Sequence, residues 1–387
     1  MVYILRRFGI LIIFSLILML TTAYADDISV AVNGNALTFD VPAQVIDGRT
    51  MVPMRAIFAE LGAEVTWDDW SQIAVAVKGD TVISVKIGEP SIKVNDSVIS
   101  LDTAPQIIDG RTLVPVRAIA EGLGCFVRWD DAAKTVYISD APLLTVHFID
   151  VGQADSAFIE LPNGKTVLID AGTKSGGKVV SAYLKPYCKK IDYLIATHPH
   201  EDHIGGMAEI IDTFEIGEIY MPKVSHDTKT FENLLSTISD NNLTVKTARA
   251  GVNMLDEVGL KADFIAPVSD KYSNLNNYSA VLKITYNDAS FLFMADAEEP
   301  SEHEITADVK ADVIKIGHHG GYTSTTEEFI KKVSPTYAVI SVGKNNSYGH
   351  PNSGIIERIE ALGSKIYRTD LDGTIVLYSD GNNINKI

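Results

Sequence analysis

The sequence predicts an α/β chain in two domains, a smaller N-terminal α+β unit built on a duplication and a larger unit of alternating strands and helices. Three observations predict it. A long stretch recurs at a fixed offset in the first third of the chain. Beyond Ala141-Pro142 the texture changes to apolar strands alternating with amphipathic segments. In that second part the polar clusters fall at the C-terminal ends of predicted strands, where α/β architectures place ligands. With 387 residues, 46% of them hydrophobic, the chain is long enough for two separate cores.

The first residues read as a leader. Arg6 and Arg7 precede an apolar run from Phe8 to Leu20, followed by Thr21-Thr22-Ala23-Tyr24-Ala25. A basic start, a short apolar centre and Ala-x-Ala before Asp26 make residues 1–25 a secretory signal peptide. The run is shorter than the roughly 20 residues that span a bilayer. No later stretch of the sequence is long and apolar enough to do so. The expectation is a protein that is secreted or held at the cell envelope, without a transmembrane helix in the mature chain. The net charge of −17 becomes more negative still when Arg6 and Arg7 leave with the leader. Such a chain is poorly suited to gripping long nucleic acid by general attraction to phosphates, although a local basic groove stays open. Cys125 and Cys188 lie in different parts of the chain and read as small buried residues rather than a disulfide.

The first domain, 26–140, carries the repeat. From Ile46 the chain reads IDGRTMVPMRAIFAELGAEVTWDD, and from Ile108 IDGRTLVPVRAIAEGLGCFVRWDD, an offset of 62 residues. Gly48, Arg49, Pro53, Arg55, Gly62, Trp67 and Asp68 recur as Gly110, Arg111, Pro115, Arg117, Gly124, Trp129 and Asp130. In each copy an Asp-Gly turn leads into a short apolar strand. A helix over 54–61 or 116–123 then ends at a glycine, and a strand through the Trp follows. These residues resemble the copper amine oxidase N-terminal-like domain over about 28–139. Residues 26–140 contain no histidine, so no copper site is expected. The resemblance implies an accessory module of the cell surface or envelope, and attachment there is the expected role.

The second domain, 141–387, is read strand by strand. Strands are expected at 146–151, 157–161, 166–169, 193–197, 280–286, 291–295, 313–316 and 338–342. Asn163-Gly164 between the second and third is a hairpin signal. Met207, Ile210, Ile211 and Phe214 keep helical spacing. Between the strand at 193–197 and that helix stands Thr197-His198-Pro199-His200-Glu201-Asp202-His203-Ile204-Gly205-Gly206. Three imidazoles and a carboxylate within six residues, at a strand-to-helix turn, can converge on one point. That donor set suits zinc, and also manganese or iron. The chain has only nine histidines, so three in this turn argue against an ordinary solvated loop.

Other clusters end strands in the same way. Asp170 follows 166–169, where it could orient a metal ligand from behind or simply form the turn. Asp296 follows 291–295, as a bridging carboxylate or a helix cap. His318-His319 follows 313–316, and Asn346-Ser347-Tyr348-Gly349-His350-Pro351 follows 338–342.

Taken in order, these stretches resemble the metallo-β-lactamase superfamily over about 143–387, through the HxHxDH motif. More closely, they resemble the extracellular hydrolase domain of the ComEC family of competence proteins and related phosphodiesterases. Further stretches carry the likeness: Phe148-Ile149-Asp150-Val151-Gly152-Gln153-Ala154-Asp155-Ser156, Leu168-Ile169-Asp170-Ala171-Gly172, Asn276-Asn277-Tyr278-Ser279, Ile316-Gly317-His318-His319-Gly320, Tyr348-Gly349-His350-Pro351 and Tyr367-Arg368-Thr369-Asp370. The resemblance implies an αββα sandwich with the site at one edge. It implies that His198 and His200 hold a first divalent ion, Asp202 and His203 a second, and that Asp296 bridges them. His318 completes the coordination of the second ion, with His319 as the alternate. The ions implied are two, zinc or manganese. Three small residues depart from the family pattern: Ala154 and Ala295 stand where glycine is usual, and Gly321 where serine is. The histidine that lactamases and glyoxalase-type enzymes carry before the bridging carboxylate has no counterpart, since His226 comes too early and Asn276-Asn277 occupy its place.

The chemistry expected is hydrolysis of a phosphodiester by water activated between two ions, with Asp202 in the catalytic set. His350 and His319 are candidates to protonate the leaving group or to hold a phosphate oxygen. Asn277, Ser279 and Tyr348 are candidates to line the substrate slot. The substrate expected is a nucleic acid or a cell-wall phosphodiester. Two other readings remain open at this level. One is hydrolysis of a carboxylic ester, thioester or lactam, and the other an envelope-binding protein working through its N-terminal half.

Overall fold

The computed structural model describes residues 28–130 and 134–386. The leader expected at 1–25 lies outside the described residues. Among the described residues no helix is long and apolar enough to cross a membrane. Contacts divide the chain into two compact units, one built mainly on Ala36–Ile119 and the other mainly on Tyr137–Ile387. The division is ragged at the junction, because Ala31–Asn35 and Ala120–Arg128 cluster with the second unit.

In the first unit the duplication is visible as pairing. The two copies of the Asp-Gly hairpin, Gln44–Ile46 with Arg49–Pro53 and Gln106–Ile108 with Arg111–Pro115, form one four-stranded sheet. The copies meet antiparallel at its centre, where Val114 opposes Val52 and Leu113 opposes Pro53. The pairing is reciprocal in the side chains too. Arg49 Nε donates to Asp102 Oδ2 at 2.7 Å, and Arg111 Nε donates to Asp40 at 2.6 Å. Asp40 and Asp102 are themselves 62 residues apart, so each copy's arginine is held by the other copy's aspartate. Helices Met54–Glu60 and Val116–Gly122 follow each hairpin, and Trp67 and Trp129 lie on the strands Glu64–Asp68 and Phe126–Asp130.

The second unit contains two mixed sheets. The first runs, in spatial order, Val245–Thr247, Glu215–Met221, Lys190–Ile195, Thr166–Ile169, Ala157–Glu160, Leu144–Phe148, Ile375–Ser379 and Ile384–Lys386. The second runs Val252–Glu257, Leu260–Phe264, Leu282–Tyr286, Ala289–Phe293, Val313–Lys315, Tyr337–Ile340 and Lys365–Arg368.

Strands covered on both faces must be apolar at every position, and side chains then alternate between two cores. Val167 and Ile169 point into the layer between the sheets, together with Leu282, Ile284, Phe291 and Phe293. Leu168 points the other way, onto helices that contribute Val180, Leu184, Met207, Ile210 and Leu234. Leu292 likewise faces Phe329, Ile330, Ile355 and Ile359 on the far side. The result is helix, sheet, sheet, helix. Each fully buried Leu, Ile or Phe contributes roughly 1.5–3 kcal/mol to holding these layers together.

Strand direction decides where loops gather. Thr166–Ile169 and Lys190–Ile195 run parallel, so Asp170 and the segment after Ile195 leave from the same edge. Ala157 opposes both Ile169 and Phe148 in antiparallel register, which brings the loop 149–156 to that edge as well. In the second sheet Ala289–Phe293, Val313–Lys315 and Tyr337–Ile340 are parallel neighbours, and Leu282 opposes Phe293. Residues 276–281, 294–298, 316–321 and 341–350 therefore share one edge. Ala280 N–H donates to the Thr197 carbonyl at 2.9 Å and stitches the two edges together. Asn163-Gly164 does turn the hairpin, with Gly164 in the left-handed region at φ 81°. Cys125 is buried, whereas Cys188 is only half-buried, a correction to the expectation for the latter.

Candidate metal centre

The histidine-rich motif leaves its strand extended and enters two short helices, Glu201–Ile204 and Met207–Thr213. The two glycines between them serve close approach. A Cβ on Gly206 would lie 2.2 Å from the Ala171 carbonyl oxygen, and one on Gly205 2.5 Å from the Lys174 nitrogen. Only glycine lets this backbone press against the loop after Asp170, and that contact seats the motif.

Each imidazole is aimed by a fixed partner. His203 Nδ1 is 2.7 Å from Asp170 Oδ2, while Thr197 donates to the same carboxylate through its hydroxyl at 2.6 Å and its N–H at 2.9 Å. With Nδ1 bonded, His203 directs Nε2 at Asp296 Oδ2, 3.2 Å away. His198 Nδ1 lies near the hydroxyls of Thr197 and Ser279, at 3.2 and 3.4 Å. Its Nε2 is 3.1 Å from His200 Nδ1 and 3.7 Å from Asp296 Oδ2. His319 Nδ1 is 3.0 Å from the Ser341 carbonyl, which can only accept. His319 Nε2 is thereby directed toward Asp202 at 3.3 Å and Asp296 at 3.8 Å, where a cation would take the place of its proton.

The donors form three groups: Asp155, Asp170 and His203 make one, on the Nδ1 side of His203, and the other two share a carboxylate. Of these two, His198, His200 and Asp296 make one; Asp202, His203, His319 and Asp296 make the other, with all ligand atoms of a group within 4.8 Å of one another. Inside this cluster His203 Nε2 and Asp296 Oδ1 are buried without a hydrogen-bond partner. Orphaned buried lone pairs at the meeting point of imidazoles and carboxylates are what a divalent cation satisfies. The donor set fits such ions. The electrostatics agree. Burial works to push His203 down, yet Asp296, Asp170 and Asp202 outweigh it and hold the ring well above its ordinary pKa. The same contest raises His319 to about 10, with Asp296 and Asp155 overcoming burial. This concentration of negative charge requires protons or cations to balance it.

The structure revises four assignments. The ring that joins Asp202, His203 and Asp296 is His319, the alternate, and not His318. Both residues are in the left-handed region, at φ 50° and 53°, and this backbone turns His319 inward. His318 faces a separate polar cluster. Its Nδ1 is 3.1 Å from Thr323 Oγ1 and 3.4 Å from Glu298, and its Nε2 stays 3.9 Å from Asp296. His319 is in turn no leaving-group acid, since its Nδ1 is spent on Ser341 and its Nε2 points among the donors.

Asn277 is buried and fully engaged, its Oδ1 accepting from the backbone of Glu298 and Ser301 and its Nδ2 donating to Glu298. Ser279 is also fully buried, and its hydroxyl accepts from Asp296 N–H at 3.1 Å. Both build the site from behind and line no substrate slot. Tyr348 stays 71% exposed, its ring stacked beside His350 at 5.8 Å. His350 itself is half-buried, and burial together with the charges of His318 and His319 pushes its pKa down.

Several residues escaped sequence reasoning. Asp155 is buried at the site edge, 2.9 Å from Lys315 Nζ and 3.2 Å from His319 Nδ1. Glu298 gathers Asn274, Asn276, Asn277, Thr323 and His318 around one carboxylate. Asn346 satisfies both ends of its amide within its own loop, receiving Tyr348 and His350 N–H and donating to the Gly343 and His350 carbonyls. Asp155 lay inside a motif already singled out, but its partner is 160 residues away. No local spacing signals it.

Fold and site together define a metal-dependent hydrolase of the αββα class, and the chain belongs to the metallo-beta-lactamase superfamily, whose signature spans residues 149–344. A second match, to the copper amine oxidase N-terminal domain, spans 31–138. ComE operon protein 3 of Bacillus subtilis is 31% identical over 251 residues, 59% of this chain and 32% of that protein. Recombination protein 2 of Haemophilus influenzae is 28% identical over 240 residues, 60% of this chain and 29% of its own. The chain thus spans about a third of the length of these curated relatives. Among solved structures, zinc-bound PqqB of Methylobacterium extorquens aligns over 58% of this chain and 87% of its own, at 12% identity and a TM-score of 0.37.

Proposed function

We propose that the chain is an exported phosphodiesterase working with two divalent ions, zinc or manganese. The observation that carries this reading is the shared carboxylate: Asp296 belongs to a three-donor group with His198 and His200 and to a four-donor group with Asp202, His203 and His319. The three-donor group contains no further imidazole among the described residues. His226 lies beside His200, ring to ring at 5.9 Å, but bonds the Pro199 carbonyl through Nδ1. A group left short of ligands keeps room for a substrate oxygen, which speaks for phosphoryl over lactam or thioester chemistry.

Bound divalent ions activate water near neutral pH and offset the charge of a phosphoryl group. The protein's own residues do the rest. Asp170, Thr197, Ser279 and Ser341 hold the imidazoles at fixed angles. His318, braced by Glu298 and Thr323 at Nδ1, has Nε2 at the rim of the donor cluster, 3.4 Å from Asn276 Nδ2 and 3.9 Å from Asp296, where it would exchange the long amide contact for a non-bridging phosphate oxygen. Burial lowers its basicity, but Glu298 and Asp296 outweigh it and hold the ring above its ordinary pKa. His350 stands next to it, ring centroids 5.5 Å apart, as a hydrogen-bond donor to the departing oxygen. Tyr348 at the rim supplies an exposed ring. The acidic chain favours short oligonucleotides or a cell-wall phosphodiester over long duplex DNA, and the N-terminal unit would hold the enzyme at the envelope.

Hydrolysis of bis(p-nitrophenyl) phosphate, nitrocefin and a thioester would be compared with zinc or manganese and with EDTA. The expected result is turnover of the phosphodiester alone, abolished by EDTA and by His200→Ala. Turnover of only nitrocefin or the thioester would overturn the reading.

A further inference from the structure

Gln153 lies in the loop 149–156, outside the donor groups, with its side chain wedged between two other loops. Gly343 N–H is 2.9 Å from Gln153 Oε1. A backbone N–H can only donate, so the amide atom facing it must be the oxygen, and the amide NH2 must face the other way. On that other side, 3.4 Å from Nε2, is His350 Nδ1. An NH2 group can only donate, so Nδ1 of a neutral His350 must be the acceptor. In a neutral imidazole the single ring proton then sits on Nε2.

The fit is tight. A Cβ on Gly343 would fall 2.6 Å from the Gln153 nitrogen, so the two backbones approach as closely as glycine allows. Asn346 fixes the far side of the same loop by accepting His350 N–H and donating to its carbonyl. Gln153 and His350 are thus both held, and neither can turn away without breaking a bond. Gly321 marks the opposite face of the ring. A Cβ there would stand 3.0 Å from His350 Nε2 and 3.3 Å from His318 Nδ1. With glycine, the space in front of Nε2 is open.

We propose that Gln153 is a positioning residue that fixes His350 in its Nε2–H tautomer, so that the ring presents a proton donor and not a lone pair toward the space beside His318. The amide sets the direction of the proton, and Gly321 clears its path. In phosphodiester hydrolysis that Nε2–H donates a hydrogen bond to the departing oxygen as its bond to phosphorus breaks, and water supplies the proton that the oxygen takes up, so the ring stays neutral throughout. This use of the proton rests on the phosphodiesterase reading, whereas the protonation pattern of the ring does not.

The test is 15N NMR of the full chain near neutral pH, with His350 assigned by loss of its signal in His350→Gln. The expected result is an unprotonated Nδ1 and a protonated Nε2. Gln153→Glu keeps the shape but offers a second acceptor to the ring, and should invert the pattern to a protonated Nδ1. Gln153→Leu should leave shifts averaged over both tautomers. A protonated Nδ1 or an averaged ring in the unmodified protein would overturn the proposal, and so would an unchanged pattern in a folded Gln153→Glu. In turnover, Gln153→Leu should lower kcat at least about tenfold with KM within about twofold. Failure of all phosphodiester turnover, with the NMR pattern intact, would sink the reading of function and leave the tautomer assignment standing.

Discussion

Lys315 Nζ lies 2.9 Å from Asp155 Oδ2, with both side chains over nine-tenths buried beneath the donor cluster. Removing one member of such a pair leaves a bare charge in an apolar layer. Lys315→Met should cost about 3–5 kcal/mol of unfolding free energy, measured in urea at neutral pH. The sign of its pH dependence follows. Burial pushes Asp155 up, but Lys315 and His319 overcome it and hold the carboxyl below its ordinary range. A depressed carboxylate stabilises the fold above its unfolded pKa and loses that contribution as the pH falls. The gap between the two proteins should therefore narrow in acid. A gap that widens would contradict the pairing.

Asp170 belongs to neither of the two groups that share Asp296, yet it aims His203 through Nδ1 and holds Thr197 by two bonds. Asp170→Asn should weaken divalent-ion affinity about 10–100-fold, read by competition with a chelating dye.

The two adjacent histidines separate by metal content. His319→Ala should lose bound ion when purified protein is assayed by elemental analysis. His318→Ala should keep its ions while turnover falls, by roughly 10²–10⁴ if it contacts the transition state. The opposite pattern would return the ligand role to His318.

Burial pushes the Cys188 thiol up to about 11, and the nearby Glu160 and Asp192 carboxylates add to it. Only the thiolate alkylates readily, so iodoacetamide at pH 8 should modify native Cys188 roughly a hundredfold more slowly than an unfolded thiol. Because the folded thiol ionises later, the fold is favoured while it is neutral and loses that advantage as the pH climbs through about 11. Rapid labelling of the native protein at pH 8 would refute this.

Much of the fold was legible because its signals are local. The strand expected at 166–169 is observed as Thr166–Ile169, and those expected at 157–161 and 313–316 are each one residue shorter. The strand before the histidine motif begins and ends earlier than expected, at Lys190–Ile195, because Asp170 takes the Thr197 N–H that a ladder would have used. The donor-rich turn was legible since its residues are contiguous. The choice between His318 and His319 was not, because two consecutive left-handed residues decide it and neither is a glycine. Ala295, which stands where glycine is usual, is left-handed too, at φ 48°, which accounts for that preference. Gln153 and Asp155 depend on partners far away in sequence, so no periodicity could have found them.

The reciprocal clasp of the N-terminal unit has its own consequence. Arg49 reaching Asp102 while Arg111 reaches Asp40, across strands that pair like with like, is the pattern of a twofold isologous interface. A single copy released from the chain would carry that self-complementary surface unmet. It should associate as a homodimer, with another molecule standing in for the missing half.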